Sequence, residues 1–165
     1  MKADHLIILV ASILAALLLL LSPLSYGRNL SVPDPMLTPG ETRKVTVEQL
    51  CTTSTKLVRN VPSSVSKQVY LAYGMKTKHS GICGGDGYCE LDHDISLSLG
   101  GTNGAKNLFP MPYSGSCNAH DKDKLEFRLY KLMCAKKITL KTAQKAISGD
   151  WRPAYKKYVN EKGCK

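Results

Sequence analysis

Apolar residues recur along the second half of the chain with helical spacing. Leu125, Leu129, Leu132 and Met133 stand at i, i+4, i+7 and i+8, which predicts an amphipathic helix over Ala119–Cys134. Lys122, Lys124, Arg128 and Lys131 read as its wet face. Earlier, Val47, Leu50 and Cys51 predict a short helix over 46–53, and Val65, Val69 and Ala72 a second over 64–73. Ser63 or Ser64 is placed to cap that second helix and Gly74 to stop it. After the long helix, Thr139 can cap a helix over 140–148 that Gly149 ends. Asp150 can cap a last helix to about Tyr158, with Pro153 in its first turn and Trp151, Tyr155 and Tyr158 closing the core. Between the two groups of helices the period changes. Residues 88–93 alternate as a strand does, Gly100-Gly101-Thr102-Asn103-Gly104 reads as a turn, and 107–109 as a short returning strand ended by Pro110 and Pro112. The expectation is an α+β domain over 46–165, a small hairpin packed among several helices, with its central motif in 88–134. Residues 77–87, polar and Gly-rich, read as a loop, and His79 within it as a solvated side chain.

Two other patterns change the picture. Leu6 to Leu21 is apolar except for Ser12, follows Lys2, and is broken by Ser22-Pro23. Small residues then stand at Ser25 and Gly27. This is the pattern of a signal peptide over 1–27, cleaved after Gly27. The run of 16 residues falls just short of the roughly 17–25 that span a bilayer; the alternative is an uncleaved inner-membrane anchor. Residues 28–45, with Pro33, Pro35, Pro39 and Gly40, read as an extended linker. The chain carries a net charge of +10, and setting aside Lys2 and Asp4 with the leader leaves that balance unchanged. Such an excess attracts polyanions, either nucleic acid or an anionic membrane surface. All six cysteines, Cys51, Cys83, Cys89, Cys117, Cys134 and Cys164, follow the leader. An even count in an exported chain favours disulfides. A structural zinc site needs two close pairs; here only Cys83 and Cys89 come near that spacing.

The candidate chemistry lies at the end of the first strand. Asp92 and His93 are adjacent, so on a strand they point to opposite faces. Hydrolysis of a phosphodiester asks for a base to activate water and a cation to neutralise charge. His93 can serve as the first, Asp92 can hold the second, and His120 at the start of the long helix can add a ligand.

Glu90-Leu91-Asp92-His93, then Gly100-Gly101-Thr102-Asn103, then Asn107-Leu108-Phe109-Pro110, followed by a helix opening Asn118-Ala119-His120, resembles the HNH endonucleases of the ββα-metal class. The likeness is greatest to a bacterial group of exported HNH-like proteins and runs from about Thr46 onward. It includes the tail with Ile138-Thr139-Leu140, Ala143-Gln144 and Asp150-Trp151.

The resemblance implies a metal-dependent endonuclease, DNA being the favoured substrate. It implies His93 as general base, Asn107 as the motif's middle residue bracing the loop, and Asp92 and His120 as ligands of one divalent ion. Mg²⁺ is the default ion, and a His ligand would also accept Mn²⁺, Ni²⁺ or Zn²⁺. Gly100-Gly101 would supply positive φ angles. Lys122, Lys124 and Arg128 would touch phosphates. The likeness pairs Cys51 with Cys134, and with it Cys83 with Cys89 and Cys117 with Cys164. One residue departs from the pattern: Asp94 stands where the family has an apolar residue under the hairpin. The competing expectation is a disulfide-stapled exported protein that keeps the scaffold and binds polyanions without catalysis.

Overall fold

The computed structural model of the chain describes residues 30–75 and 89–164. The leader, the loop 77–87 with His79 and Cys83, and Tyr88 lie outside the described residues. The fold is α+β. In chain order it runs α1 (Val47–Thr52), α2 (Ser63–Ala72), β1 (Cys89–His93), β2 (Leu108–Pro112), α3 (Ala119–Cys134), α4 (Leu140–Ile147) and α5 (Arg152–Tyr158), with 3-10 turns at Thr55–Leu57, Leu97–Leu99 and Ala105–Asn107.

Local signals account for most ends. Thr46 caps α1 in a reciprocal capping box with Gln49. Asn118 caps α3 by accepting from the Asp121 amide, and Thr139 caps α4 by accepting from Thr142. Gly74 and Gly149 follow their helices at φ 76° and 68°. Two expected caps differ. Neither Ser63 nor Ser64 caps α2; Pro62 takes the N-cap position without a side-chain bond, its fixed φ suiting the helix entrance. Trp151 is the N-cap residue of α5, and Asp150 sits one residue earlier, with Oδ1 accepting from the Arg152 amide at 3.2 Å.

β1 and β2 pair antiparallel, His93 opposite Leu108, Asp92 opposite Phe109 and Cys89 opposite Pro112. Contrary to expectation, β2 begins at Leu108 and runs through both prolines. Pro110 and Pro112 stand two apart, and Phe109 and Met111 alternate with them. In an antiparallel pair alternate residues exchange the ladder bonds, so two prolines of one parity on an edge strand leave the others free to pair.

Leu99, Leu108, Phe109, Met111, Leu125, Leu129, Met133, Ile147 and Trp151 are buried in one cluster, so hairpin, long helix and tail share a core. The segment expected as a linker belongs to that body. Leu30 and Thr38 are buried. Thr38 Oγ1 donates to the Leu108 carbonyl at 2.8 Å, Thr42 bridges to Gly101, and the Trp151 indole donates to the Ser31 carbonyl at 2.8 Å. The segment turns at Asp34, whose carbonyl accepts from the Leu37 and Thr38 amides, and then finds backbone partners along the domain.

Cys51–Cys134 joins α1 to the end of α3, and Cys117–Cys164 joins the start of α3 to the end of the chain. Cys89 is disulfide-bonded as well; Cys83, expected as its partner, lies outside the described residues. No helix among the described residues is long and apolar enough to cross a membrane.

Candidate active site at the end of the hairpin

Asn107 organises the site. It is fully buried. Its Oδ1 accepts from the Ile95 amide at 3.0 Å and the Glu41 amide at 3.3 Å. Its Nδ2 donates to the Ile95 and Thr102 carbonyls, each at 2.9 Å. Both ends of the amide are used, so the loop from β1 to β2 is fixed around one side chain. The two glycines in that loop serve different needs. Gly100 has φ 86°. Gly101 does not have positive φ, contrary to expectation; a Cβ there would collide with the Ile95 carbonyl oxygen and lie 2.7 Å from Asn107 Nδ2.

His93, 2% exposed, ends β1. Its Nε2 lies 3.1 Å from Asn103 Oδ1. Asn103 Nδ2 donates to the Val58 carbonyl at 2.7 Å, which orients the amide and leaves Oδ1 facing the ring. Nε2 therefore carries the proton, and in the neutral ring Nδ1 holds the lone pair. Burial lowers the imidazole pKa below its usual 6.5, and Arg59 and Lys122 add to this; the Asn103 bond and Asp92 act the other way. The ring is thus neutral at pH 7, with its basic nitrogen defined.

Asp92 is committed on both oxygens. Oδ1 accepts from the His93 amide at 2.7 Å, and Oδ2 pairs with Lys122 Nζ at 2.9 Å. Lys122 is a correction to the sequence reading, which set it on the wet face. Its side chain is 0% exposed. Its ammonium also reaches the His93 carbonyl at 2.6 Å and Glu126 Oε1 at 2.8 Å. Three acceptors thus match the three donors of an ammonium. Burial alone would lower its pKa, but the carboxylates of Asp92 and Glu126 outweigh this and raise it. Glu126 is itself raised, chiefly by burial.

His120 is exposed and stacks obliquely on Tyr113, ring centroids 5.4 Å apart. It does not join Asp92. Residues 120 and 122 are about 200° apart on a helix, so a helix that turns Lys122 inward turns His120 out. Lys124 and Arg128 do reach the surface. Lys124 pairs with Asp121 at 2.8 Å, and Arg128 Nε donates to the Tyr158 carbonyl at 3.2 Å.

Each Asp92 oxygen already accepts a hydrogen bond, its cation partner is Lys122, and His120 lies exposed against Tyr113. Among the described residues no three His, Cys, Asp or Glu side chains are grouped to hold a metal ion. The residues as placed do not fit the expected one-metal centre.

Asp94, the departure from the family pattern, points away from this site. It is fully buried, and its Oδ1 and Oδ2 accept from the Gly149 amide at 2.7 Å and the Ser148 hydroxyl at 2.9 Å. Burial raises its pKa, and the two bonds pull it back. It ties the hairpin to the end of α4.

Sequence reasoning missed Lys122, Glu126 and Asn103. A signal for the first was present: Lys122 precedes Leu125, Leu129 and Met133 by three, seven and eleven positions, so it lies on the apolar stripe. Glu126 then follows at i+4. Comparison with known proteins leaves the geometry to stand by itself: no family model, no curated protein and no solved structure matches the chain.

Proposed function

We propose that the chain is an exported phosphodiester hydrolase of the HNH type, acting on nucleic acid with DNA favoured, and that His93 is its general base. The observation that carries this reading is the fixed tautomer of His93. Asn103, held by Val58, accepts a hydrogen bond from Nε2–H, and burial keeps the ring neutral. Nδ1 is left with the lone pair that a general base needs. The order of hairpin and helix, with Asn107 bracing the loop, supports a ββα arrangement. The +10 balance supports a polyanionic substrate. Two disulfides support an oxidising compartment. In the proposed step Nδ1 takes a proton from water while the water oxygen bonds to phosphorus. The bond from phosphorus to the 3′ oxygen breaks and that oxygen takes a proton from solvent, to which His93 later releases its own, giving a 5′ phosphate and a 3′ hydroxyl.

A second reading is favoured by the same salt bridge. With Asp92 engaged by Lys122 and His120 turned outward, the scaffold can serve as a non-catalytic polyanion-binding protein. Supercoiled plasmid incubated with the protein lacking residues 1–27, with Mg²⁺, Mn²⁺ or EDTA, beside His93→Ala, separates the two. Nicking lost in His93→Ala supports the hydrolase; retarded migration without nicking supports the binder.

A further inference from the structure

We propose that Lys122 is the resident cation of this donor set and that its ammonium occupies the place a divalent ion would take among these oxygens, so the site assembles without metal. Three distances carry the inference. Nζ is 2.9 Å from Asp92 Oδ2, 2.8 Å from Glu126 Oε1 and 2.6 Å from the His93 carbonyl. These are oxygen ligands of the kind that Mg²⁺ or Mn²⁺ would take. They converge instead on a side chain with 0% exposure, anchored on α3 beneath the strand end. A divalent ion at the same oxygens would lie against that ammonium, and like charges at such separation in a buried site repel strongly. The ion would have to expel a covalently tethered competitor whose effective concentration is far above that of any free cation. Lys122 is therefore a positioning residue: with no exposed surface it cannot touch a phosphate, but it fixes Asp92 and the carbonyl of His93 and so holds the base in place.

The inference stands apart from the hydrolase reading because its readout is ion binding. Mn²⁺ is titrated into the ¹⁵N-labelled protein lacking residues 1–27. The expected result is no selective broadening of the Asp92, His93 and Lys122 amide signals and the same thermal midpoint in Mn²⁺ as in EDTA. Lys122→Met, which removes the ammonium and keeps the stem, is expected to gain a Mn²⁺-dependent rise in midpoint that a further Asp92→Asn removes. Saturable broadening at His93 and Asp92 in the unsubstituted protein would overturn the proposal, whatever the variants do. A folded Lys122→Met that gains no Mn²⁺ response would overturn it too. If that variant does not fold, the titration of the unsubstituted protein decides alone.

Discussion

Lys122 Nζ lies 2.9 Å from Asp92 Oδ2, with none of the lysine side chain exposed to solvent. This pair joins the long helix to the end of the hairpin. Desolvating two charges costs several kcal/mol per ion, offset here by a second carboxylate and a carbonyl. Removing one partner leaves the other buried and uncompensated. Lys122→Ala is expected to destabilise the fold by about 3–5 kcal/mol, read as a shift in denaturant midpoint at unchanged slope. A change within about 0.5 kcal/mol, the size usual for surface sites, would mean that Lys122 spends its time in solvent.

Asp94 predicts a different kind of loss. Its carboxylate accepts from Ser148 and Gly149 in the fully buried space between hairpin and α4. Asp94→Ala leaves the Gly149 amide without its acceptor, at a cost of about 1–3 kcal/mol. The Gly149 amide should exchange with solvent faster while those of β1 keep their protection. Equal acceleration at both would argue against a local tie.

Asn107→Asp tests the loop brace with little change of shape. The carboxylate can still accept from Ile95 and Glu41, but the two bonds given to the Ile95 and Thr102 carbonyls are lost. The loss is expected to reach about 2–4 kcal/mol in chemical denaturation, a buried charge adding to two unmet acceptors. Asn107→Asp with full stability would overturn the assigned amide orientation.

His93 predicts a pH dependence with a definite sign. Its folded pKa lies below 6.5, so between that value and 6.5 the unfolded chain binds more protons than the folded one. Stability contributed at this residue is present above pH 6.5 and lost as pH falls through that window. Carboxyls raised by burial, Glu126 and Asp94 among them, contribute the opposite slope. The comparison must therefore be a difference: His93→Gln should lose less stability than the unsubstituted protein between pH 7 and pH 5. In the hydrolase reading the same residue gives a rate that rises with pH through a limb below 6.5 and is flat at neutrality. A limb above 7 would assign the base elsewhere.

Much of this architecture was legible from periodicity. The bounds of α3 follow from Leu125, Leu129 and Met133, and the strand before the glycine turn, Cys89–His93, from alternation at 88–93. What was not legible was direction. Lys122 belongs by spacing to the apolar stripe, yet a lysine is so seldom fully buried that its charge argued for the wet face. His120 was attractive as a ligand because of its residue type; its position two residues from an inward-facing one sends it outward. Pro110 and Pro112 argued for a strand end, and only the register shows that their shared parity leaves the ladder intact. The prolines of 28–45 read as a linker, since no local pattern encodes the long-range bonds of its described part to Leu108, Gly101 and Trp151.

The most direct measurement is plasmid nicking by the folded protein lacking residues 1–27, with and without EDTA, beside His93→Ala. Nicked product is expected in both conditions and none from the variant. Intact supercoiled plasmid throughout, from protein shown to be folded, would contradict the hydrolase; nicking that EDTA abolishes would contradict the role given to Lys122.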